Sequence, residues 1–323
     1  MHPALSVIFF TVVSGSGYGL LFLLGLGLAI DPQIIDHNEA LIVLATGMLF
    51  AAAGLSASLL HLGQPQRAWR ALSQWRSSWL SREGVASLIG FAPLFALGWC
   101  LWRGSDTSTL RGLGATIAAL AIVTVCCTAK IYTSLKTIHA WHNAYVLPGY
   151  LLFGLLGGAV WLWLLHALIG GAAGTLPWRG LPCLVVLSAL ACWLLKRAYW
   201  RFIDVTQHPA TAESATGLGR FGEVRSLEAP HTEENYLTRE MGFALARKHA
   251  RRLRVTCLIL IGPVPVSLAF AALITSMQWP ALVPVCTIAA ALGVTAGTFV
   301  ERWLFFAEAR HVVMLYYGAP ARA

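Results

Sequence analysis

Eight long apolar runs divide this 323-residue sequence, and they constrain the fold more than any other feature. Each run is close to the length of about 20 residues that a helix needs to cross a membrane. The runs are continuous rather than alternating, which favours helices over a β-barrel. We therefore predict an all-α, polytopic membrane protein, a bundle of eight transmembrane helices. The predicted spans are Leu5–Ile30, Ala40–Leu60, Gly84–Trp102, Leu110–Ala129, Tyr145–Ile169, Leu181–Leu195 with a continuation to Trp200, Val255–Met277 and Ala281–Val300.

The composition agrees with a chain that faces lipid. Hydrophobic residues make up 57% of the sequence, charged residues 11%, and the mean hydropathy is +0.68. An ordinary soluble domain has about 45–50% apolar and about 25% charged residues, so this chain lacks the polar groups to cover a soluble surface. At the end of the sixth span, Lys196 and Arg197 are expected to snorkel to the membrane interface.

The basic residues predict the orientation. Twenty of the 23 Lys and Arg residues lie on one side of the predicted bundle, and the exceptions are Arg103, Arg111 and Arg179. Because basic loops stay in the cytoplasm, both termini are predicted to be cytoplasmic. The net charge of +9 is then a signal of topology and requires no nucleic-acid partner.

The chain is predicted to be a single integral membrane domain, 1–323, with a polar cytoplasmic loop at 196–254. The second half of this loop, Glu233–Arg254, is predicted to form a basic helix that runs into the seventh span. Two interpretations stay open for the loop: a solvated linker with a membrane-surface helix, or a docking surface for a soluble partner.

Neither the cysteines nor the histidines show the pattern of a resident metal. The seven cysteines lie in or at spans and lack the paired CxxC spacing of an iron–sulfur or zinc site. No two histidines fall at mid-bilayer, where a transmembrane b-type haem would need them. We expect no metal site in this chain, so any redox role would use a cofactor that enters and leaves.

The segment from His61 to Gly84, between the second and third spans, is the best chemical candidate. Its apolar residues recur at helical spacing, and this pattern predicts an interfacial helix with tryptophans and arginines at the depth of the lipid headgroups. His61 and Glu83 flank the segment, each at the end of a span. A partly buried carboxylate beside a histidine suits the proton-coupled oxidation of a quinol, because one group binds a ring hydroxyl and the other accepts its proton.

Three motifs then indicate a family. They are His61-Leu-Gly-Gln-Pro-Gln-Arg67-Ala-Trp with Ser81-Arg-Glu83, Lys130-Ile-Tyr-Thr-Ser-Leu-Lys136 with Trp141-His142-Asn143, and Glu240-Met-Gly-Phe-Ala-Leu-Ala-Arg247-Lys-His249. With its eight spans and long polar loop, the whole chain resembles the membrane anchor subunit of the dimethyl sulfoxide reductase family.

The resemblance implies a function and partners. Such an anchor binds no cofactor of its own and holds an iron–sulfur electron-transfer subunit and a molybdopterin catalytic subunit against the bacterial cytoplasmic (inner) membrane. It oxidises menaquinol, which enters from the membrane between the second and third spans. The electrons pass to the iron–sulfur subunit for reduction of a terminal acceptor such as dimethyl sulfoxide.

The resemblance also implies site residues. Glu83 would accept a proton and His61 would bind or relay the other, while Gly63, Arg67 and Trp69 would bind the quinol. Trp69 stands where the family usually has Phe, and Ala71 where a Ser can occur, which affects the expected quinone preference. Second-tier candidates, for a direct role or for docking the partner, are Lys130, Tyr132, Lys136, Trp141, His142 and Arg302.

Two other functions remain open from the sequence. A secondary transporter would show broken helices and paired polar residues near mid-membrane, often in two related halves. A pure tether would hold the complex at the membrane without a quinone site of its own.

Overall fold

The structure is a computed structural model that describes residues 4–60, 62–169, 176–206, 210–225, 227–228, 245–276 and 278–317. Within those residues the chain is helical and contains no strand, apart from an isolated antiparallel bridge between Ile138 and His311. The long helices are α1 Leu5–Ile30, α2 His37–Leu59, α3 Trp79–Arg103, α4 Thr107–Thr133, α5 Val146–Ile169 and α6 Leu176–Val205. After the short α7 Ala212–Thr216 come α8 Leu245–Ile261, α9 Pro263–Thr275 and α10 Leu282–Ala307. Short 3₁₀ helices cover Pro65–Gln74, Gly219–Phe221 and Val312–Tyr317.

In the part of the chain that the structure describes, eight stretches of helix are long and apolar enough to cross a membrane, with α8 and α9 sharing one of them. This confirms the predicted all-α bundle of eight spans. α1 has the predicted bounds, whereas α3 and α4 begin earlier than predicted because polar residues cap them. The Ser78 side chain accepts a hydrogen bond from the Ser81 backbone, and Asp106 caps α4 through the backbone N–H of Thr109.

The seventh span is interrupted at Gly262, although the sequence predicts one continuous span there. Gly262 has φ −113° and ψ −90°, and α9 begins at the next residue. Pro263 and Pro265 lack the backbone N–H that would continue the helical hydrogen bonds, which explains the break. A Cβ at Gly262 would lie 2.5 Å from the Trp193 ring, so the lack of a side chain at Gly262 lets this part of the seventh span approach α6 closely.

α1 is the central helix of the bundle and packs against α2, α4, α5 and α10. Its closest approach is to α5, where glycines face each other: a Cβ at Gly19 would overlap the backbone of Gly154, and a Cβ at Gly158 would overlap Gly19. Small residues of this kind let membrane helices pack backbone to backbone.

The bundle has two distinct ends. We call the end at which α2, α4, α6 and α10 finish the basic end, since most basic residues lie there. Several contacts join its connections: the Ile138–His311 bridge, and ion pairs from Arg254 to Asp204 (2.7 Å) and to Glu308 (2.9 Å). At the opposite end, Glu39 on α2 pairs with His166 on α5.

The polar segment between the sixth and seventh spans is shorter than the predicted 196–254, because α6 continues to Val205. Of the basic helix predicted at Glu233–Arg254, the structure describes the part from Leu245, where α8 begins. The rest of that prediction lies outside the described residues.

Candidate functional site

The connection between α2 and α3 lies on the surface of the basic end. It forms a 3₁₀ helix at Pro65–Gln74 rather than the α-helix that the spacing of its apolar residues predicts. With three residues per turn, side chains four positions apart no longer share a face. Leu72 packs on α3, where a Cβ at Gly84 would lie 2.9 Å from it, while Trp69 (68% exposed) and Trp75 (52% exposed) lie on the surface.

Arg82 fastens this connection to α3. Its Nε donates to the carbonyl of Trp75 (2.9 Å), its NH2 group donates to the carbonyl of Arg76 (2.7 Å), and its guanidinium lies 4.2 Å from the centre of the Trp79 ring. The Ser81 hydroxyl adds a bond to the carbonyl of Ala71. In the sequence Arg82 is one of the basic residues that indicate the topology and part of the Ser81-Arg-Glu83 motif, and neither pattern predicts its bonds to backbone carbonyls.

Glu83 lies inside the bundle rather than at the edge of the connection. It occupies the second turn of α3, is 4% exposed, and accepts a hydrogen bond from the hydroxyl of Thr128 on α4. One helical turn further along α3, the Ser87 hydroxyl accepts a bond of 3.0 Å from Tyr18 on α1. Glu83 and Ser87 are four residues apart and share a face of the helix, so this face of α3 presents polar groups to the interior.

Thr128 also lines a small cavity between α1, α4, α5 and α10. Its lining contains the polar side chains of Thr11, Ser14, Ser16, Tyr18, Thr128, Tyr150, Thr298 and Arg302. It is large enough for about one water molecule. Thr128 thus connects Glu83 to this polar cavity.

The other predicted site residues are placed differently. His61 lies outside the described residues. Gly63, Arg67 and Trp69 are exposed on the connection, and in the described part of the chain Arg67 forms no ion pair with Glu83. These three residues are exposed, whereas Glu83 is buried and bonded to Thr128.

The second-tier candidates divide into two groups. Tyr132, Trp141 and Arg302 are buried near one another. The Tyr132 ring lies 5.3 Å from the Trp141 ring and stacks on the Tyr150 ring at 5.6 Å. The Arg302 guanidinium lies 3.9 Å from the centre of that Tyr150 ring. The indole N–H of Trp141 donates to the carbonyl of Phe305 at 2.9 Å, which ties the connection after α4 to α10. Exposed residues form the other group: Lys130, Lys136 and His142.

A buried charged triad is the main feature that the sequence did not predict. Lys196 on α6 lies 2.7 Å from one carboxylate oxygen of Glu301 on α10, and Arg302 lies 3.1 Å from the other. All three side chains are buried, with Lys196 only 4% exposed. The expectation that Lys196 snorkels to the interface is therefore wrong, because Glu301 provides a partner inside the bundle. A carboxylate directly after the last predicted span was the available signal.

Among the described residues, no group of three His, Cys, Asp or Glu side chains is arranged to hold a metal ion. All seven cysteines are free thiols, of which Cys127, Cys192 and Cys257 are buried and Cys183 is exposed. Glu83 and the triad are buried polar groups that can exchange protons and form hydrogen bonds.

Comparison with known proteins places the chain in a family. A family model described as "DMSO reductase anchor subunit (DmsC)" matches residues 1–318. The chain is similar to a sulfite dehydrogenase subunit of Allochromatium vinosum, at 34% identity over 99% of this chain and 100% of that protein. It is also similar to two Escherichia coli proteins. One belongs to anaerobic dimethyl sulfoxide reductase and is 29% identical over 55% of this chain and 62% of its own length. The other is the anaerobic dimethyl sulfoxide reductase protein YnfH, with 28% identity over 58% of this chain and 64% of its own length. The chain belongs to the dimethyl sulfoxide reductase anchor subunit family, as its motifs predict.

Proposed function

We propose that this chain is the quinone-exchanging membrane anchor of an oxidoreductase complex and that Glu83 is its proton-exchanging group. The observation that carries the proposal is the position of Glu83: a buried carboxylate within a membrane span, bonded to Thr128, in the helix on which the connection 62–78 packs. An ionisable side chain at that depth is costly and is typically functional. Family membership supports the role of anchor.

The quinone head group is proposed to bind beside α3 at the basic end, with Gly63, Arg67 and Trp69 on the connection around it and His61 at its start. When a quinol is oxidised there, the bond between a ring hydroxyl oxygen and its hydrogen breaks and the proton passes to the Glu83 carboxylate. The electrons pass to an iron–sulfur cluster of a partner subunit. When a quinone is reduced, the same steps run in reverse.

Two directions of electron flow have support. Oxidation of menaquinol, for reduction of an acceptor such as dimethyl sulfoxide, is the direction that the motifs imply, and the two E. coli relatives favour it. The relative that matches the chain from end to end is a subunit of a sulfite dehydrogenase, an enzyme that takes electrons from its substrate, and it favours reduction of a quinone. Measuring both dimethyl sulfoxide reduction with a quinol and sulfite oxidation with a quinone, in membranes that contain the complex, decides between them.

The proposed partners are an iron–sulfur subunit and a molybdopterin catalytic subunit, docked at the basic end. The exposed arginines and tryptophans of the connection 62–78 lie on that surface beside the proposed quinone site, which keeps the path for electrons short. The distribution of basic residues supports a cytoplasmic location for this end and for both termini, in the bacterial inner membrane.

The experiment is quinone-linked turnover and quinol-analogue binding of the purified complex, with Glu83→Gln as the variant. Its matched control is Glu39→Gln, which removes a buried carboxylate at the opposite end of the bundle. We expect Glu83→Gln to lower turnover by about 10²-fold or more, as loss of a proton acceptor does, and the control to leave it unchanged.

The remaining alternatives give different results. A pure tether would co-purify with its partners but would not bind a quinol analogue. Unchanged turnover in Glu83→Gln would overturn the proposed role of Glu83 as the proton-exchanging group. The break at Gly262 is a feature expected of a transporter, but Gly262 and its neighbours in α8 and α9 are apolar, whereas transporters place polar substrate groups at such breaks. Isolation of the chain without any oxidoreductase subunit would favour the transporter.

A further inference from the structure

Thr128 on α4 uses its side chain differently from other threonines of the spans. A threonine hydroxyl within a helix usually donates to a backbone carbonyl of the preceding turn. The hydroxyls of five span threonines do so in the structure: Thr11, Thr46, Thr116, Thr124 and Thr298. Thr128 makes the same kind of contact, to the Thr124 carbonyl at 3.1 Å, but its hydroxyl also donates to the carboxylate of Glu83 on α3.

We propose that Thr128 is a positioning residue for the proton exchange at Glu83. Its hydroxyl holds the Oε1 atom of the carboxylate, so that Oε2 is the oxygen that exchanges a proton with the quinone. This inference rests on the proposed proton exchange at Glu83 and adds the residue that orients the carboxylate. Thr128 itself neither gains nor loses a proton.

The two carboxylate oxygens of Glu83 have different surroundings. Oε1 accepts the hydrogen bond from Thr128, whereas Oε2 forms no hydrogen bond or ion pair within the described part of the chain. Oε2 is therefore the oxygen that is left to accept a proton. In quinol oxidation the bond between a ring hydroxyl oxygen and its hydrogen breaks, the proton bonds to Oε2, and the electrons leave for the cluster of the partner subunit. Reduction of a quinone reverses these steps.

The other polar groups near Glu83 do not hold its carboxylate. Three titratable side chains, all ordinarily neutral at pH 7, lie near it in the described part of the chain: Tyr18, Cys127 and Tyr132. The Tyr18 hydroxyl donates to Ser87 at 3.0 Å. Arg82, the adjacent cation, donates to two backbone carbonyls of the connection 62–78. The orientation of the carboxylate therefore depends on Thr128.

A hydroxyl suits this role because it can respond to the charge of the carboxylate. It has a single hydrogen, which can rotate towards either Oε1 of Glu83 or the Thr124 carbonyl. A hydrogen bond to an ionised carboxylate is roughly twice as strong as one to a neutral carbonyl. The hydroxyl thus favours Glu83 while the carboxylate is ionised, and the Thr124 carbonyl competes once Oε2 has gained a proton. Thr128 stays hydrogen-bonded in both states by rotation of its hydroxyl alone.

The test compares Thr128→Val with Thr128→Ser in the purified complex. Valine keeps the branched shape but removes the hydroxyl, whereas serine keeps the hydroxyl and loses the methyl group. In Thr128→Val we expect kcat of quinone-linked turnover to fall about tenfold at a nearly unchanged KM, as for loss of one hydrogen bond to a charged group. The pH midpoint of turnover should move about one unit higher, because the lost bond favours the ionised carboxyl. Thr128→Ser should restore both values.

The matched control is Thr124→Val, one turn away on the same helix. The Thr124 hydroxyl donates to the Leu120 carbonyl at 2.8 Å, and its substitution leaves the backbone carbonyl of Thr124 in place. Every variant should show normal activity with a dye that exchanges electrons with the partner subunits without passing through the quinone. Thr128→Ala, which also lacks the hydroxyl, takes the place of Thr128→Val if the valine variant does not assemble.

Infrared difference spectra of the complex report on the bond itself. The carboxyl band of Glu83, identified by its loss in Glu83→Gln, should shift in Thr128→Val and stay in place in Thr124→Val. An unshifted band with a normal pH midpoint in Thr128→Val would overturn the inference. The same changes in Thr128→Ser would also overturn it, because they would assign the effect to packing.

The Glu83 variant separates this inference from the proposed function. If Glu83→Gln retains full turnover, the proposed function itself fails. If Glu83→Gln loses turnover while Thr128→Val keeps a normal kcat and pH midpoint, only the positioning role of Thr128 fails.

Discussion

The Nδ1 atom of His166 lies 2.7 Å from a carboxylate oxygen of Glu39, and both side chains are buried at the end of the bundle opposite Glu83. We expect Glu39→Ala to destabilise the protein by about 1–3 kcal/mol, because it deprives a buried imidazole of this partner. Glu39→Gln keeps an acceptor at the same place and should cost less. Thermal unfolding in detergent measures both, and equal melting temperatures would contradict a structural role for this contact.

Arg82 is predicted to control the quinone site through the backbone of the connection 62–78. In Arg82→Lys the amine cannot reach both the Trp75 and Arg76 carbonyls, so the connection should loosen and become easier to cleave by protease. The loss of about one charged hydrogen bond should weaken quinol-analogue binding about tenfold. Arg76→Lys is the control, because only the backbone of Arg76 takes part. Unchanged protease sensitivity of Arg82→Lys would show that the two bonds do not hold the connection.

Trp141→Phe tests the link between the connection after α4 and α10. Phenylalanine keeps an aromatic ring against Phe305 but cannot donate to its carbonyl. We expect a loss of about 0.5–1.5 kcal/mol, the usual net contribution of one hydrogen bond. The same change at the exposed Trp75 should have little effect on the melting temperature. Equal stability of the two variants would refute the structural role of the Trp141 bond.

Gly19→Ala tests the contact between α1 and α5. The added methyl group would overlap the Gly154 backbone, which cannot move without shifting α5, so we expect a cost of about 1–3 kcal/mol or a failure to assemble. At Gly90 on α3, where a Cβ meets nothing within 4 Å, the same change should stabilise by about 0.5–1 kcal/mol. A stable, fully assembled Gly19→Ala protein would contradict the close packing.

Asp106, which caps α4 outside the membrane, gives a pH-dependent prediction. Hydrogen bonds from the Thr109 side chain and backbone, at 2.8 and 3.0 Å, lower the pKa of Asp106 below its usual value. A carboxyl whose folded pKa is lowered stabilises the fold above its unfolded pKa, and this contribution disappears as the pH falls through the folded pKa. The melting temperature of the wild-type protein should therefore fall more steeply below about pH 4 than that of Asp106→Asn. Parallel pH profiles would show that the cap does not contribute.

The number and type of the spans could be predicted because apolar length is a local property of the sequence. Leu5–Ile30 is a clear case: the predicted and observed bounds of α1 agree. The end of α6 could not be predicted in this way. Its extension to Val205 accompanies the pairing of Lys196 with Glu301, which lies 105 residues later in the sequence.

The site could be predicted only where it depends on local sequence. Glu83 stood out as a carboxylate at the edge of a span, but its inward direction depends on Thr128, an ordinary-looking residue in another helix. The 3₁₀ form of Pro65–Gln74 depends on bonds from Arg82 and Ser81 to backbone carbonyls, which leave no pattern in the spacing of apolar residues. Long-range pairs of this kind become visible only in three dimensions.

The pairing of Lys196 with Glu301 also bears on how the chain is made. α6 is synthesised well before α10, so Lys196 enters the bilayer at a time when its carboxylate partner does not yet exist. Until then, its long aliphatic stem can carry the amine to the lipid headgroups. Arrival of the final span, with Glu301 and Arg302 already adjacent, allows the amine to move inward. The last helix to be synthesised is thus the one that locks α6 in place, and nascent chains truncated before Glu301 should be targets for membrane quality control.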